Sequence, residues 1–562
     1  MKKTEQKGKL YLALGILLML QVIAAFCFCM KKTGFHYDEY YSYYSSNVTY
    51  GLAPTDREWK DTAEIRSEFE VLPGEGFDFP TVVRMQTYDV HPPFYYLLLH
   101  TACSLVPGVF TKWTGLALNL LFFAGSWFLL GGLAWKFTYR AEKKNERFAV
   151  AAVFGTCLLY GFNPAVFSGI MLVRMYMLLG FLILLATWLH VCALEKRKRG
   201  WQFYLPLMCC VYLGFLTHYY FAVYLFFLAA ATECYLLFEK AEGKTWGQKW
   251  KDCFVYGAAV IGAMLLAVVS YPACLGHIFR GYRGTEAMGA FFDAANTLGR
   301  LRFFAGLLNE YAFGSLLPVF LLVVLLLALT AVMLRRRKQA DKRLSQSVWE
   351  RYRVILIPGV AAVGYFAVVT KTALLTAEEA NRYQIPVYGL ILLLAVTMLV
   401  LFTEKVCALA VSGTSRNREK AEKTGMIGVC CVIFLLAAGQ INGLCQNKVL
   451  FLYEEDAPNL AFARENHDVP AVYFYNGNLM WMIWDDSLEL MQYDRIYFAS
   501  LADVSAVEDE RIGSAKRVLA YIARNDSSQD ALKAIKEGMG DRAQVKLLRE
   551  LLYCDLYEIT KQ

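Results

Sequence analysis

Eleven apolar runs, most of them close to the ~20 residues that carry a helix across a hydrocarbon core, alternate with short loops rich in Lys and Arg through the first 446 residues. The runs lie near 10–30, 113–135, 148–162, 176–194, 202–217, 220–238, 253–275, 313–334, 354–370, 385–403 and 426–446. The chain is 57% hydrophobic and 19% charged, below the roughly 25% charged residues of a soluble domain, with a mean hydropathy of +0.36. This is the pattern of a polytopic membrane protein.

The net charge of +8 could suggest a nucleic-acid partner, but its distribution argues against one. Basic clusters at Lys2–Lys9, Lys136–Arg147, Glu195–Arg199, Lys240–Lys251, Arg335–Arg353 and Lys405–Lys423 fall between apolar runs and report topology. Placing them in the cytoplasm gives an inside N-terminus, an outside C-terminus and a multi-pass protein of the plasma membrane. Residues 92–111 are apolar enough to cross, yet counting them as a span would invert the later basic loops. They are therefore read as lying along, or partly entering, the outer leaflet. The run from Leu10 to Met30 is too long for a signal-peptide core and lacks a small-residue cleavage site, so it is read as a retained helix. Most of the fifteen cysteines lie inside apolar runs, where they act as small hydrophobes; no CxxC pair suggests zinc or redox chemistry.

Two domains follow: residues 1–446 as a membrane bundle, including an outer loop 31–90, and residues 447–562 as a small extracytoplasmic α/β domain. In the loop, Thr55-Asp56-Arg57-Glu58 resembles a capping box opening an amphipathic juxtamembrane helix with Trp59, Ile65 and Phe69 on its apolar side. In the tail, Ala471–Tyr475, Arg495–Ala499 and Arg517–Ile522 read as buried strands and Ser528–Gly538 as a helix. Asn47-Val48-Thr49 is a glycosylation sequon.

The sharply polar groups at membrane boundaries, apart from the basic anchors, fall on the predicted outer side. Asp38 and Glu39 follow the first run amid Tyr37, Tyr40, Tyr41, Tyr43, Tyr44 and Tyr50. His91 precedes two prolines. Arg174 and Tyr176 follow Asn163-Pro164, His218 and Tyr219 lie in the next turn, and Arg382 and Tyr383 close the last loop. A carboxylate there can cap a helix, accept a proton or hold a divalent cation such as Mg or Mn. Arginines there snorkel to head groups or grip a phosphate. His91 is a stiff turn or a ligand contact; His218 and Tyr219 form part of an interfacial aromatic belt or touch a donor. Arg280 and Arg283 are weaker phosphate candidates.

These pieces resemble the C-type (GT-C) glycosyltransferases, in the bacterial branch of protein O-mannosyltransferases and lipid A aminoarabinose transferases. The matching stretches are His36-Tyr37-Asp38-Glu39, His91-Pro92-Pro93 with the following Phe94–His100, Arg174-Met175-Tyr176, Thr217-His218-Tyr219-Tyr220 and Arg382-Tyr383-Gln384-Ile385-Pro386, all within about residues 10–400. The resemblance implies a GT-C bundle of about 11–12 spans and a polyprenyl-phosphate sugar donor. It further implies an acceptor hydroxyl on a glycan, lipid or protein, and inversion at the anomeric carbon on the outer face. It makes Asp38 the base, with Glu39 beside it, and His91, Arg174, Tyr176, His218, Tyr219, Arg382 and Tyr383 the donor-binding set. One departure stands out: many relatives carry an acidic residue just before the Arg-x-Tyr element, where this chain has Leu172 and Val173. A second carboxylate would then come from Glu39, Asp89 or Glu378. A lipid-linked sugar flippase is the rival within membrane proteins, but it calls for broken helices and repeats that the sequence does not signal. A scaffold acting through residues 447–562 is the other.

Overall fold

The computed structural model describes residues 2–47, 56–139, 146–196, 200–239, 244–337, 345–411, 415–477, 482–505, 507–540 and 542–561. The chain opens with α1 (Lys2–Lys31), α2 (Tyr37–Asn47), strand β1 (Glu58–Asp61), α3 (Thr62–Arg66), α4 (Phe79–Gln86) and α5 (Phe94–Ser104). It continues through α6 (Lys112–Thr138), α7 (Glu146–Gly161), α8 (Pro164–Met171), α9 (Tyr176–Lys196), α10 (Trp201–Phe215), α11 (Tyr220–Phe238) and α12 (Trp246–Ser270). Next come α13 (Ala273–Phe279), α14 (Tyr282–Phe292), α15 (Thr297–Leu307), α16 (Leu317–Arg337), α17 (Ser345–Thr372), α18 (Ile385–Ala410) and α19 (Ser415–Cys445). The tail adds α20 (Ala457–Glu465), β2 (Ala471–Tyr475), α21 (Ile483–Leu490), β3 (Arg495–Ser500), α22 (Glu510–Ser514), β4 (Arg517–Ala523), α23 (Ser528–Met539), β5 (Gln544–Glu550) and β6 (Cys554–Thr560).

The chain divides into two compact units. One comprises Met1–Cys29, Gln86–Tyr95 and Leu116–Leu450; the other comprises Met30–Met85, Tyr96–Gly115 and Phe451–Gln562. The tail thus begins at Phe451, close to the expected 447, whereas most of the outer loop expected in the membrane bundle groups with the second unit. Much of the first loop belongs with the tail, because β1 pairs antiparallel with β3, from Glu58 opposite Phe498 to Asp61 opposite Arg495.

In the membrane unit, nine helices among the described residues are long and apolar enough to cross a bilayer, and α7 with α8 passes the same test only as a pair bent by 50°, a broken span or a re-entrant loop. The 15-residue α10, with Pro206 inside it, accounts for the remaining apolar run. The bend departs from the unbroken helices read from the sequence, and the segment after Asn163-Pro164 is helix rather than loop. Pro164 has no N–H to continue the ladder, and Asn163 caps α8 by accepting from the N–H groups of Ala165 and Val166. Every residue of α8 is buried. The apolar stretch 92–111 yields only the 11-residue α5, about 16 Å at 1.5 Å per residue, too short to cross.

In the second unit the six strands run in the order β1-β3-β2-β4-β6-β5, with β2 parallel to both neighbours and the flanking pairs antiparallel. The fully buried Ala471–Tyr475 is what a central strand covered on both faces requires. Val472, Phe474, Val518 and Ile522 pack with Ala531, Ile535 and Met539 of α23 on one face. Tyr473, Ile496, Phe498 and Tyr521 pack with Ile65, Ala463, Ile483 and Leu490 on the other. Three strands and one helix expected in the tail are present; β1, β5 and β6 complete the sheet.

The expected capping box and juxtamembrane helix are corrected as well. Thr55 lies outside the described residues, and Glu58–Asp61 is strand. The capping box is Asp61 with Glu64, which opens the short α3.

Candidate functional site

The acidic motif belongs to the second unit, and its two carboxylates are placed differently. At the start of α2, Glu39 reaches back to accept from the backbone N–H of His36 (2.8 Å) and from Lys32 Nζ (2.8 Å). Lys32 also donates to the Phe451 carbonyl (2.7 Å). Both side chains of this ion pair are fully buried, and breaking such a pair is far costlier than never having built it. Glu39 is thus a helix-opening and charge-balancing residue. The Asp38 side chain retains 17% exposure. Its N–H donates to His36 Nδ1 (3.1 Å), which fixes the imidazole beside the carboxylate.

Beneath this turn lies an aromatic cluster. Phe35 and Phe110 stack at 5.4 Å, Phe69 and Phe110 at 5.0 Å, and Tyr40 and Tyr43 meet Phe35 edge-on. Tyr40 and Tyr43 are therefore core, not membrane-surface groups. Tyr37, Tyr41 and Tyr44 stay partly exposed, and Tyr50 lies outside the described residues. Asn47 of the sequon is also buried, donating to the Phe69 carbonyl (2.7 Å), where no glycan could be attached.

The remaining predicted residues belong to the membrane unit, and the fold brings them together. Asn119, within α6, donates to the carbonyls of Ile170 and Leu172 (3.0 and 2.7 Å) and so holds the chain between α8 and α9. That turn presents Arg174, whose Nη2 lies 3.3 Å from His91 Nδ1. His91 Nδ1 is in turn 3.0 Å from Asp89 Oδ2. The His91 and His218 rings sit 5.9 Å apart, and Tyr176 stands 5.8 Å from both His218 and Tyr383. Arg382 places its guanidinium over the Tyr383 ring at 5.2 Å. Arg174 and Arg382 are almost fully buried.

Of the three candidate second carboxylates, Asp89 is the one beside Arg174. Glu39 is paired with Lys32, and Glu378 accepts from the Tyr311 hydroxyl. Burial would raise the Asp89 carboxyl, but the charges of His91 and Arg174 outweigh it and hold it at about 2. His218 is pushed well below the ordinary histidine value by burial, reinforced by His91 and Arg174. Its Nδ1 accepts from the Tyr220 N–H (3.0 Å), which leaves the proton of the neutral ring on Nε2. His218 is thus a hydrogen-bond donor at neutral pH.

Tyr219 is hydrogen-bonded to His277 Nδ1 (2.9 Å), and the Asp89 charge reaches both. Tyr220, part of the matching stretch but not of the expected donor-binding set, stacks on His218 at 4.9 Å. Tyr365 escaped sequence reasoning; its hydroxyl donates to the Tyr383 carbonyl (2.9 Å). A lone Asn in an apolar run was a readable signal for Asn119. Nothing local marks Tyr365.

Each segment of this cluster leads into a helix N-terminus: 89–91 into α5, Arg174 into α9, His218 into α11 and Arg382 into α18. Helix N-termini carry partial positive charge and unsatisfied N–H groups. Together with two buried guanidiniums they make a site for an anion with planar, multiple acceptor oxygens. Among the described residues no group of three or more His, Cys, Asp or Glu that could hold a metal ion is found.

Neither the protein-family models nor the curated proteins include a match to this sequence. Among solved structures, the chain is similar to ArnT from Cupriavidus metallidurans in the apo state. The match has 11% identity over 92% of this chain and 95% of that one, with a TM-score of 0.44. It is also similar to the archaeal oligosaccharyltransferase AglB from Archaeoglobus fulgidus, in complex with an inhibitory peptide and a dolichol-phosphate (12% identity, 90% of this chain, 69% of that chain, TM-score 0.40). A further match is the Archaeoglobus fulgidus oligosaccharyltransferase tethered with an acceptor peptide (12%, 94% and 69%, TM-score 0.42). Identities this low carry no residue assignment across.

Proposed function

We propose that the chain is an integral-membrane inverting glycosyltransferase. It would move a sugar from a polyprenyl-phosphate donor to an acceptor hydroxyl at the outer face of the plasma membrane, with its N-terminus in the cytoplasm. The observation that carries this reading is the cluster of buried Arg174 with half-buried His91 and Asp89, continued through His218, Tyr176 and Tyr383 to buried Arg382, where four helices begin. A phosphate joined to an apolar tail brings its charge to the ends of membrane helices, and the tyrosine rings offer flat faces to a sugar.

In the proposed reaction the acceptor oxygen attacks the anomeric carbon from the side opposite the phosphate. The new C–O bond forms as the bond from carbon to the phosphate oxygen breaks, and the electron pair leaves with the lipid phosphate. Asp38 takes the hydroxyl proton. The leaving monoester has a second pKa near ~6, so it needs charge stabilisation more than protonation. Arg174 and Arg382 supply that, with His218 Nε2 as a neutral donor. Asp89 keeps His91 and Arg174 oriented, a positioning role, and Glu39 fixes the turn that carries Asp38.

The test is incubation of the purified chain, in lipid nanodiscs, with polyprenyl-phosphate sugars and envelope extracts, followed by mass analysis of products. Sugar-dependent release of the lipid phosphate, with inverted anomeric configuration in the product, is expected. Retention of configuration, or no turnover of any polyprenyl-phosphate sugar, would overturn the reading.

A further inference from the structure

Only four residues of α2 keep part of their surface open: Tyr37, Asp38, Tyr41 and Tyr44; every other residue of that helix is buried. Asp38 and Tyr41 are three apart and so neighbours on one helical face. That row runs into Trp484 of α21. Tyr44 lies against the indole at 4.4 Å, and Tyr41 meets it edge-on at 4.7 Å. The indole is held by a hydrogen bond from its Nε1 to Glu68 (2.9 Å). Asp485 follows Trp484 in the chain, and its charge reaches His36. Three partly exposed rings and flanking carboxyls thus extend from Asp38 within a single unit of the fold.

Aromatic faces with adjacent carboxyl groups suit a particular kind of ligand. Ring faces cover the C–H side of a pyranose, and carboxyl oxygens accept from its hydroxyls. A cationic peptide would also be drawn to rings and carboxylates. Burial, however, raises Glu68, the carboxyl that holds the Trp484 indole, to about 7, which weakens its pull on a cation near neutral pH. An uncharged polyol loses nothing by this.

We propose that Tyr41, Tyr44 and Trp484, with Glu68 and Asp485, form an acceptor subsite for a saccharide chain whose free hydroxyl is presented toward Asp38. The proposal rests on the transferase reading for the use to which the bound glycan is put, but the binding itself does not.

The test is calorimetric titration of the full chain in nanodiscs, without donor, with neutral di- to tetrasaccharides of glucose, mannose, galactose and N-acetylglucosamine, and with serine-rich peptides. At least one oligosaccharide is expected to bind. Trp484→Ala should weaken it tenfold or more and Trp484→Phe, which keeps a stacking face, about twofold to threefold. The melting curve of each variant checks that the sheet unit is folded. Binding of no oligosaccharide, equal binding by Trp484→Ala, or uptake of peptides alone would overturn the proposal. A chain that binds oligosaccharides yet turns over no lipid-phosphate sugar would sink the transferase reading and leave this one standing.

Discussion

Asp89 in the membrane unit, half-buried, and Asp486 in the sheet unit, buried, both lose contact with water, and they answer that cost in opposite ways. Asp89 has His91 and Arg174 beside it and stays ionised down to about pH 2. Asp486 is buried with the Tyr473 hydroxyl donating to it at 2.7 Å, near Asp485 and Glu489, and burial above all raises it to about 7. Glu68, Asp456 and Asp485 of the same unit are raised to between about 6 and 7, chiefly by burial. Where the chain keeps a buried charge it supplies a counter-charge, as in Asp89–Arg174 and Glu39–Lys32. Elsewhere burial moves the carboxyl toward its neutral form. The positions where charge is retained are the ones to interrogate for function.

The contrast breaks first at Asp38. Asp38→Asn should lower transfer by about 10²–10⁴-fold, the range for a lost general base, while leaving the melting temperature of the purified chain near that of wild type. Wild-type turnover in that variant would remove Asp38 from the mechanism. Arg174→Ala should cost about 10²–10³-fold in kcat, as for one lost donor to a developing negative charge. Wild-type kcat in that variant would remove Arg174 from the site.

Glu39→Gln sharpens the comparison through stability. It strands the Lys32 ammonium in a buried site, at a cost of about 3 kcal/mol, read as a lower melting temperature. An unchanged melt would mean that Lys32 is solvated.

The smallest effect concerns Asp486. Its folded pKa is raised above the unfolded value, so the folded state binds more protons between pH 4 and 7. Stability therefore falls as pH rises through that window and levels off above it. Asp486→Asn, permanently neutral, should melt higher than wild type at pH 8, by about 1–2 kcal/mol of stability after allowing for relaxation. The two should nearly coincide at pH 4. A destabilised Asn variant at pH 8 would show that the carboxylate is wanted there.

How far all this was legible follows from how local each signal is. Apolar runs announce themselves within twenty residues, and fully buried strands such as Ala471–Tyr475 do so within five. Arg174, His218 and Arg382 were readable because a cation or imidazole at the end of an apolar run is conspicuous. The four residues of β1, Glu-Trp-Lys-Asp, carry no strand pattern of their own; they are strand because Arg495–Phe498 pairs with them. Glu39 looked like a second catalytic carboxylate because its partner, Lys32, resembles one more membrane-flanking lysine until the chain turns at Gly34. That turn has no room to spare: a Cβ on Gly34 would lie 1.8 Å from an Asp456 oxygen. Asp89 was one of three options until the fold put it next to His91 and Arg174.

The pairing of β1 with β3 has a consequence for how the protein is made. Glu58 emerges from the ribosome about 440 residues before Phe498, its partner in the sheet. At roughly 5–20 residues per second, that strand waits about 20 to 90 s for its partner, while every membrane helix between them is synthesised. The sheet is therefore a late lock. Until the last hundred residues arrive, the segment carrying Asp38 lacks half of its scaffold, and a chain truncated before β3 should hold an intact bundle and an unanchored first loop.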